Sequence, residues 1–122
     1  MPEADIDHTA LKNLLASVGH DEAFFQVLVS TYLEDTPEQL AAMQQAVDSA
    51  DPDQFRRAAH SLKSNSSNFG AHNLAEISKE LEEFGRSGTL MGVAPRLIQA
   101  EAEFQKVQRE LESLLSRGVS SL

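Results

Sequence analysis

Apolar residues recur every three or four positions along nearly the whole 122-residue chain, and nowhere does the two-residue alternation of a half-buried strand compete. Ile6, Leu11, Leu14, Leu15 and Val18 make a short amphipathic segment that ends at Gly19. Asp21 stands where an N-cap belongs, and Phe24, Phe25, Leu28, Val29, Tyr32 and Leu33 then share one face. Thr36-Pro37-Glu38 reads either as a fresh cap with proline at the first helical position or as a kink in one long helix. Beyond it Leu40, Met43 and Val47 continue the stripe. Asp51-Pro52 marks the next start, and that helix runs to about Phe69 with Gly70 as its stop. Leu74, Ile77, Leu81 and Phe84 follow at helical spacing, closed by Gly85 to Gly88. Val93, Leu97, Ala100, Phe104, Val107, Leu111 and Leu114 form the last stripe, which fades at Arg117-Gly118. The pattern predicts an all-α fold, an antiparallel four-helix bundle with a short additional N-terminal helix. It places one domain over residues 1–117 and a short C-terminal tail over 118–122.

Composition narrows the function classes. With 41% hydrophobic residues, six Phe and no Trp, the core is aliphatic with a few large rings. The absence of Cys excludes disulfides, thiolate metal sites and cysteine nucleophiles, and fits a reducing compartment. No apolar run approaches the ~18 residues of a membrane span, and the acidic N-terminus lacks a signal-peptide layout, so the expected location is cytoplasmic. A net charge of −9 disfavours nucleic acid and anionic membranes as partners. There is no glycine-rich phosphate loop, so no nucleotide site is expected. The paired Glu-x-x-His of a di-metal bundle is missing too, and Asp5 with His8 is an incidental pair. His20 and His72 fall at helix boundaries and read as turn or cap residues. Neither cofactor nor metal is expected.

Against this acidic background, no Asp or Glu occurs from Gln54 to Ala75. The window holds Arg56, Arg57, His60 and Lys63 within a run of serines and asparagines. On a helical wheel, Phe55, Ala58, Ala59, Leu62, Ser66 and Phe69 point to the core, and His60 lies roughly 140° away, toward solvent. Lys63 at i+3 and Ser64 at i+4 are its surface neighbours, with Ser67 one turn further. Small neighbours leave room for another protein to approach the ring. Flanking cations favour a neutral, nucleophilic imidazole and would stabilise an anion placed on it. A transferable phosphoryl group needs that combination: a nucleophilic nitrogen, cations for the equatorial oxygens, and room for in-line approach.

His60-Ser61-Leu62-Lys63 followed by Ser66-Ser67-Asn68-Phe69-Gly70-Ala71, and preceded by Ala58-Ala59, resembles the signature of histidine-containing phosphotransfer (HPt) domains. Phe25 to Leu40 resembles the family's long preceding helix, and Leu81-Glu82 with Gly85-Arg86 resembles the end of its following one. The resemblance implies that His60 accepts a phosphoryl group on Nε2 from a receiver-domain phosphoaspartate and passes it to another receiver. Lys63 would stabilise the phosphoryl group. Glu82, where many members carry Gln, would hydrogen-bond the ring. Ser64 replaces a common glycine and keeps the ring's flank small. Arg56, Arg57, Ser67, Lys79 and Arg86 would contact partners. The implied protein is a monomeric phosphocarrier without a nucleotide site of its own, working with receiver domains and with a hybrid histidine kinase. Two other readings remain open: an adaptor that binds receivers without carrying phosphate, and the phosphate-accepting domain of a chemotaxis-type histidine kinase.

Overall fold

The computed structural model describes residues 6–122, so Asp5 of the incidental Asp5/His8 pair lies outside the described residues. Among these residues the chain forms five α-helices: α1 (His8–Ser17), α2 (Glu22–Asp48), α3 (Pro52–Asn68), α4 (His72–Ser87) and α5 (Ala94–Arg117), followed by a short 3-10 turn, Val119–Ser121. Helices α2 to α5 are the antiparallel bundle; α1 packs against α2 and α3. The seams α2/α3, α3/α4, α4/α5 and α2/α5 close the ring, and α3 and α4 pack most intimately. Among the described residues no helix is long and apolar enough to cross a membrane.

The helix starts follow local chemistry. Asp7 accepts from the backbone N–H of Thr9 (2.9 Å) and Ala10 (3.3 Å), Asp21 from Phe24 (3.1 Å), and Asp51 from Gln54 (3.1 Å). Each satisfies donors that a helix N-terminus leaves unpaired. Proline at the first position of α3 has no N–H to satisfy.

The stretch around Pro37 is one helix, not two. Pro37 is exposed, so its ring lies on the outer face of the helix. Beside it, fully buried Thr36 donates its hydroxyl to the Tyr32 carbonyl at 2.8 Å.

The core matches the predicted stripes with two exceptions on α2 and α4. Phe25, Val29, Met43, Phe55, Leu62, Leu74, Leu81 and Val107 are fully or almost fully buried. Phe24, expected on the buried face, sits at its edge and is 47% exposed. Gly85, expected to close a helix, lies inside α4 and is buried. A Cβ there would stand 2.7 Å from the Arg56 Cβ and 2.8 Å from its Cα. The glycine lets α3 and α4 touch backbone to backbone; of the expected Gly85-to-Gly88 closure, Gly88, with φ of 86°, is the residue that ends the helix. Residues 118–122, expected to trail away, turn back so that Val119 is buried in the core and Leu122 packs against it.

Two polar links tie the helices, one buried and one exposed. The Tyr32 hydroxyl lies 2.8 Å from Ser66 Oγ, joining α2 to α3, and the Tyr32 ring stacks on Phe69 with centroids 4.6 Å apart. Burial pushes the Tyr32 phenol up to about 12, against the opposing hydrogen bonds with Ser66 and Thr36. At the end of the bundle, Asp7 N donates to the Gly70 carbonyl at 2.9 Å and its carboxylate lies 3.0 Å from His72 Nε2. The His72 hydrogen bond, with those from Ala10 and Thr9, holds the Asp7 carboxyl below its ordinary value. His72 thus opens α4 and clasps α1 to the α3–α4 turn, while His20 takes a left-handed turn conformation, φ 61°.

Candidate functional site

Nine residues into α3, His60 projects from the helix at the α3/α4 seam. Its side chain is 57% exposed, because Phe55, Ala59, Leu62 and Ser66 take the inward face. Ser64 and Ser67, one and two turns on, are exposed on the same side and leave the ring's outer flank uncrowded.

The sequence window around His60 is free of acids, but the folded site is not. Glu82, 22 residues away on α4, brings a carboxylate against the ring: Oε2 lies 2.9 Å from His60 Nδ1. The same carboxylate accepts from Lys63 Nζ through Oε1 at 2.6 Å and from Arg86 through Oε2 at 3.0 Å. Glu82 is 2% exposed, whereas its three donors reach it from the wetter rim. A buried carboxylate is tolerated when charged donors satisfy it; Lys63 and Arg86 do so here, and His60 is a third donor. Burial alone pushes the Glu82 carboxyl up; the hydrogen bonds from Lys63 and His60 more than offset this and hold it below the ordinary glutamate value. It is therefore ionised at neutral pH.

An ionised carboxylate has no proton to give, so the Nδ1–H of His60 must be the donor. In the neutral ring that fixes the tautomer: Nδ1 carries the hydrogen, and Nε2, on the other side of the ring, has the lone pair. The ring is thereby held at one nitrogen by α4 and presents the other outward.

The remaining candidates divide. Arg56 and Arg57 do not reach toward the ring in this arrangement; both pair with Asp53 one turn earlier, Arg56 at 2.8 Å and Arg57 through a close contact. Their guanidiniums hold the Asp53 carboxyl below its ordinary value, the Arg56 hydrogen bond first. The expected hydrogen bond from Glu82 to the ring is present, whereas the expectation that Arg56 and Arg57 flank the imidazole is corrected by their pairing with Asp53. Lys79 is exposed on α4, outside the Glu82 cluster. The close contact at Gly85 lies one turn beyond Glu82 on α4 and one turn before His60 on α3, which sets the spacing that lets carboxylate and ring meet.

Sequence reasoning missed the structural part of Gly85. The only local signal was its position three residues after Glu82, which on a helix places it on a neighbouring part of the same face. Among the described residues no group of three His, Asp or Glu side chains is arranged to hold a metal ion.

Comparison with known proteins places this geometry. A family model described as the Hpt domain matches residues 27–117. The crystal structure of histidine-containing phosphotransfer protein B (HptB) from Pseudomonas aeruginosa PAO1 superposes with a TM-score of 0.81 at 36% identity, covering 89% of this chain and 92% of that one. The HPT domain of a sensor hybrid histidine kinase from Shewanella shares the fold, with a TM-score of 0.73 at 18% identity over 93% of this chain and 96% of its own. A search of curated proteins found no match. A helical bundle that holds one imidazole by its Nδ1 at the surface, matched by the family model over most of its length and by a phosphotransfer protein over nearly all of it, belongs to the Hpt domain family, and its role is histidine phosphotransfer within a phosphorelay.

Proposed function

We propose that His60 is the phosphoryl acceptor and that the chain shuttles phosphate between receiver domains as a monomeric carrier. The observation that carries the proposal is the 2.9 Å contact between His60 Nδ1 and Glu82 Oε2, which leaves Nε2 as the nucleophile. The Nε2 lone pair attacks the phosphorus of a phosphoaspartate on a partner, in line with the bond to the aspartyl oxygen. As the Nε2–P bond forms, the P–O bond breaks and its electrons return to the partner's carboxylate. The Nδ1 proton stays in place. The phosphorylated ring takes on imidazolium character, and the Glu82 carboxylate stabilises that charge. Transfer onward is the reverse of these events with a second receiver.

Lys63 and Arg86 already stand at the rim on Glu82. New phosphoryl oxygens on Nε2 would draw on both cations while these continue to satisfy the buried Glu82 carboxylate. Ser64 and Ser67 keep the approach open and offer hydroxyls. Arg56, Arg57 and Lys79 supply positive charge toward an acidic partner pocket. On the α2 side of α3, Leu28, Thr31, Asp35, Asn65 and Asn68 line a recess of about 240 Å³.

The chemistry needs no nucleotide and no metal from this chain; the donor's own site supplies the activated phosphoryl group. The test is transfer from a phosphorylated receiver domain to the wild-type chain and to His60→Gln. Acid-labile, base-stable label on the wild type alone supports the carrier reading. Receiver binding without transfer to either form would make the bundle an adaptor.

A further inference from the structure

Helix α1 is the helix least tied to the others, and its one wholly buried side chain is Leu11. Leu14 and Leu15 pack on the core only in part. Two points hold α1 at its ends. After Ser17 the chain turns into α2 through Gly19 and His20, both left-handed, with φ of 69° and 61°. A Cβ at Gly19 would meet nothing within 4 Å, so that turn is unpacked. At the other end the bonds converge on Asp7. Its N–H donates to the Gly70 carbonyl, its carboxylate caps α1 through Thr9 and Ala10, and Oδ2 lies 3.0 Å from His72 Nε2. A Cβ at Gly70 would stand 2.6 Å from the Asp7 carbonyl oxygen, so the glycine admits this close approach. The His72 side chain is 54% exposed, so the last of these bonds is open to water.

We propose that α1 is a strap, hinged at Gly19 and His20 and caught by Asp7 on His72, which opens as a unit while α2 to α5 stay folded. Its role in transfer rests on His60 as the phosphoryl acceptor. Leu14 is one wall of the 240 Å³ recess, across from Leu28, Tyr32, Asn65, Asn68 and Phe69. Asn68 stands eight residues past His60, about 12 Å along α3 and roughly 80° around it. An interface of ordinary size covers about 800 Å² per partner, a disc of roughly 16 Å radius, so a receiver bonded to Nε2 reaches the recess. The closed strap completes that wall, and the open strap takes Leu14 away from Tyr32 and Phe69. Docking therefore selects the closed form, and release of Asp7 from His72 weakens docking without touching the imidazole.

Amide hydrogen exchange on the full chain tests both parts. Corrected for their unstructured rates, the amides of residues 12–17 should exchange about 100-fold faster than those of 59–66. His72→Ala keeps the Asp7 cap on α1 and removes only the catch; it should speed α1 about 5-fold further and leave 59–66 unchanged. His72→Gln, which keeps a side-chain N–H donor, should restore the wild-type rate. A receiver domain at ten times its Kd should slow α1 about 10-fold. Equal protection of α1 and α3, or equal acceleration of all helices by His72→Ala, would overturn the strap. Exchange in α1 that the receiver leaves unchanged or speeds would overturn its link to docking. Labelling by phosphoramidate runs alongside and should be the same in wild type and His72→Ala. A label on any residue but His60 would overturn the carrier reading, and the link to docking with it, while the exchange rates alone decide whether α1 opens.

Discussion

Glu82 and His60 stand 22 residues apart in the chain and 2.9 Å apart in the fold, with the carboxylate almost wholly buried and the imidazole more than half exposed. The pair joins a fixed anchor to a presented nucleophile. The anchor is itself pinned by Lys63 and Arg86, so the ring's orientation depends on four side chains from two helices. The chemistry assigned to His60 follows from that arrangement, and each part can be altered separately.

Removing the anchor should slow transfer more than it disturbs the fold. Glu82→Ala leaves the ring free to rotate and the tautomer unset; phosphotransfer to His60 should fall about 100-fold, as expected when a reacting group is misplaced by an ångström. Glu82→Gln keeps one carbonyl acceptor but cannot serve both His60 and Lys63 as an anion, and should lose roughly 10-fold. Initial rates of transfer from a phosphorylated receiver, with helicity checked by circular dichroism, measure both.

The same carboxylate makes stability depend on pH. Its folded pKa is depressed, so its contribution is complete above the ordinary glutamate range of about 4.3 and is lost as pH falls through its lower folded value. Urea midpoints measured from pH 6 down to pH 3 should fall for the wild type. The Glu82→Gln variant should show a shallower fall over the same interval.

Gly85→Ala tests the close approach of α3 and α4. The added methyl would meet the Arg56 Cβ at 2.7 Å and backbone at 2.8 Å, contacts that no side-chain rotation relieves. Overpacking of this kind costs about 1–3 kcal/mol. Because the contact sits one turn from both His60 and Glu82, transfer should drop alongside the melting temperature. An Ala substitution at exposed Gly92, with open space for a Cβ but a φ of 81°, should lower stability through the backbone without affecting transfer per folded molecule.

Tyr32 is the only tyrosine in the chain, so its ionisation can be read directly in the ultraviolet. In the folded protein the tyrosinate band should rise only near pH 12, while the urea-unfolded chain should titrate near 10. The folded pKa is the higher, so this contribution is complete below the unfolded value and is lost as pH rises through the folded one. Tyr32→Phe, which leaves Ser66 without its partner across α2 and α3, should cost about 1 kcal/mol in denaturant unfolding.

Much of the fold was legible because the deciding interactions are local. Asp21, Asp51 and Pro52 announce helix starts through their own backbone chemistry, and the stripe through Phe55, Ala59, Leu62 and Ser66 turns His60 outward without reference to any other helix. Pro37 was undecided because its fate depends on whether its side of α2 faces water, which is a property of the bundle. The site was half legible. His60, Lys63 and Ser64 lie on one helix and share a face by spacing alone. Glu82 reads locally as a solvated residue beside an apolar stripe; its burial arises only because Lys63 and His60 arrive from α3. Gly85 was misread for the same reason, since a glycine late in a helix looks like a stop until the Arg56 backbone is seen against it. Spacing alone makes Arg56 and Arg57 neighbours of the ring, yet Asp53, just outside the acid-free window, lies within one turn of both and pairs with them.

The most direct test is the position of the phosphorus. The isotope-labelled chain would be phosphorylated with a receiver domain, or with phosphoramidate as a small-molecule donor, and studied by nitrogen and phosphorus NMR. The account predicts a single phosphohistidine, with phosphorus coupled to Nε2 of His60 and a proton retained on Nδ1. Phosphorus on Nδ1, or on any residue other than His60, would contradict it.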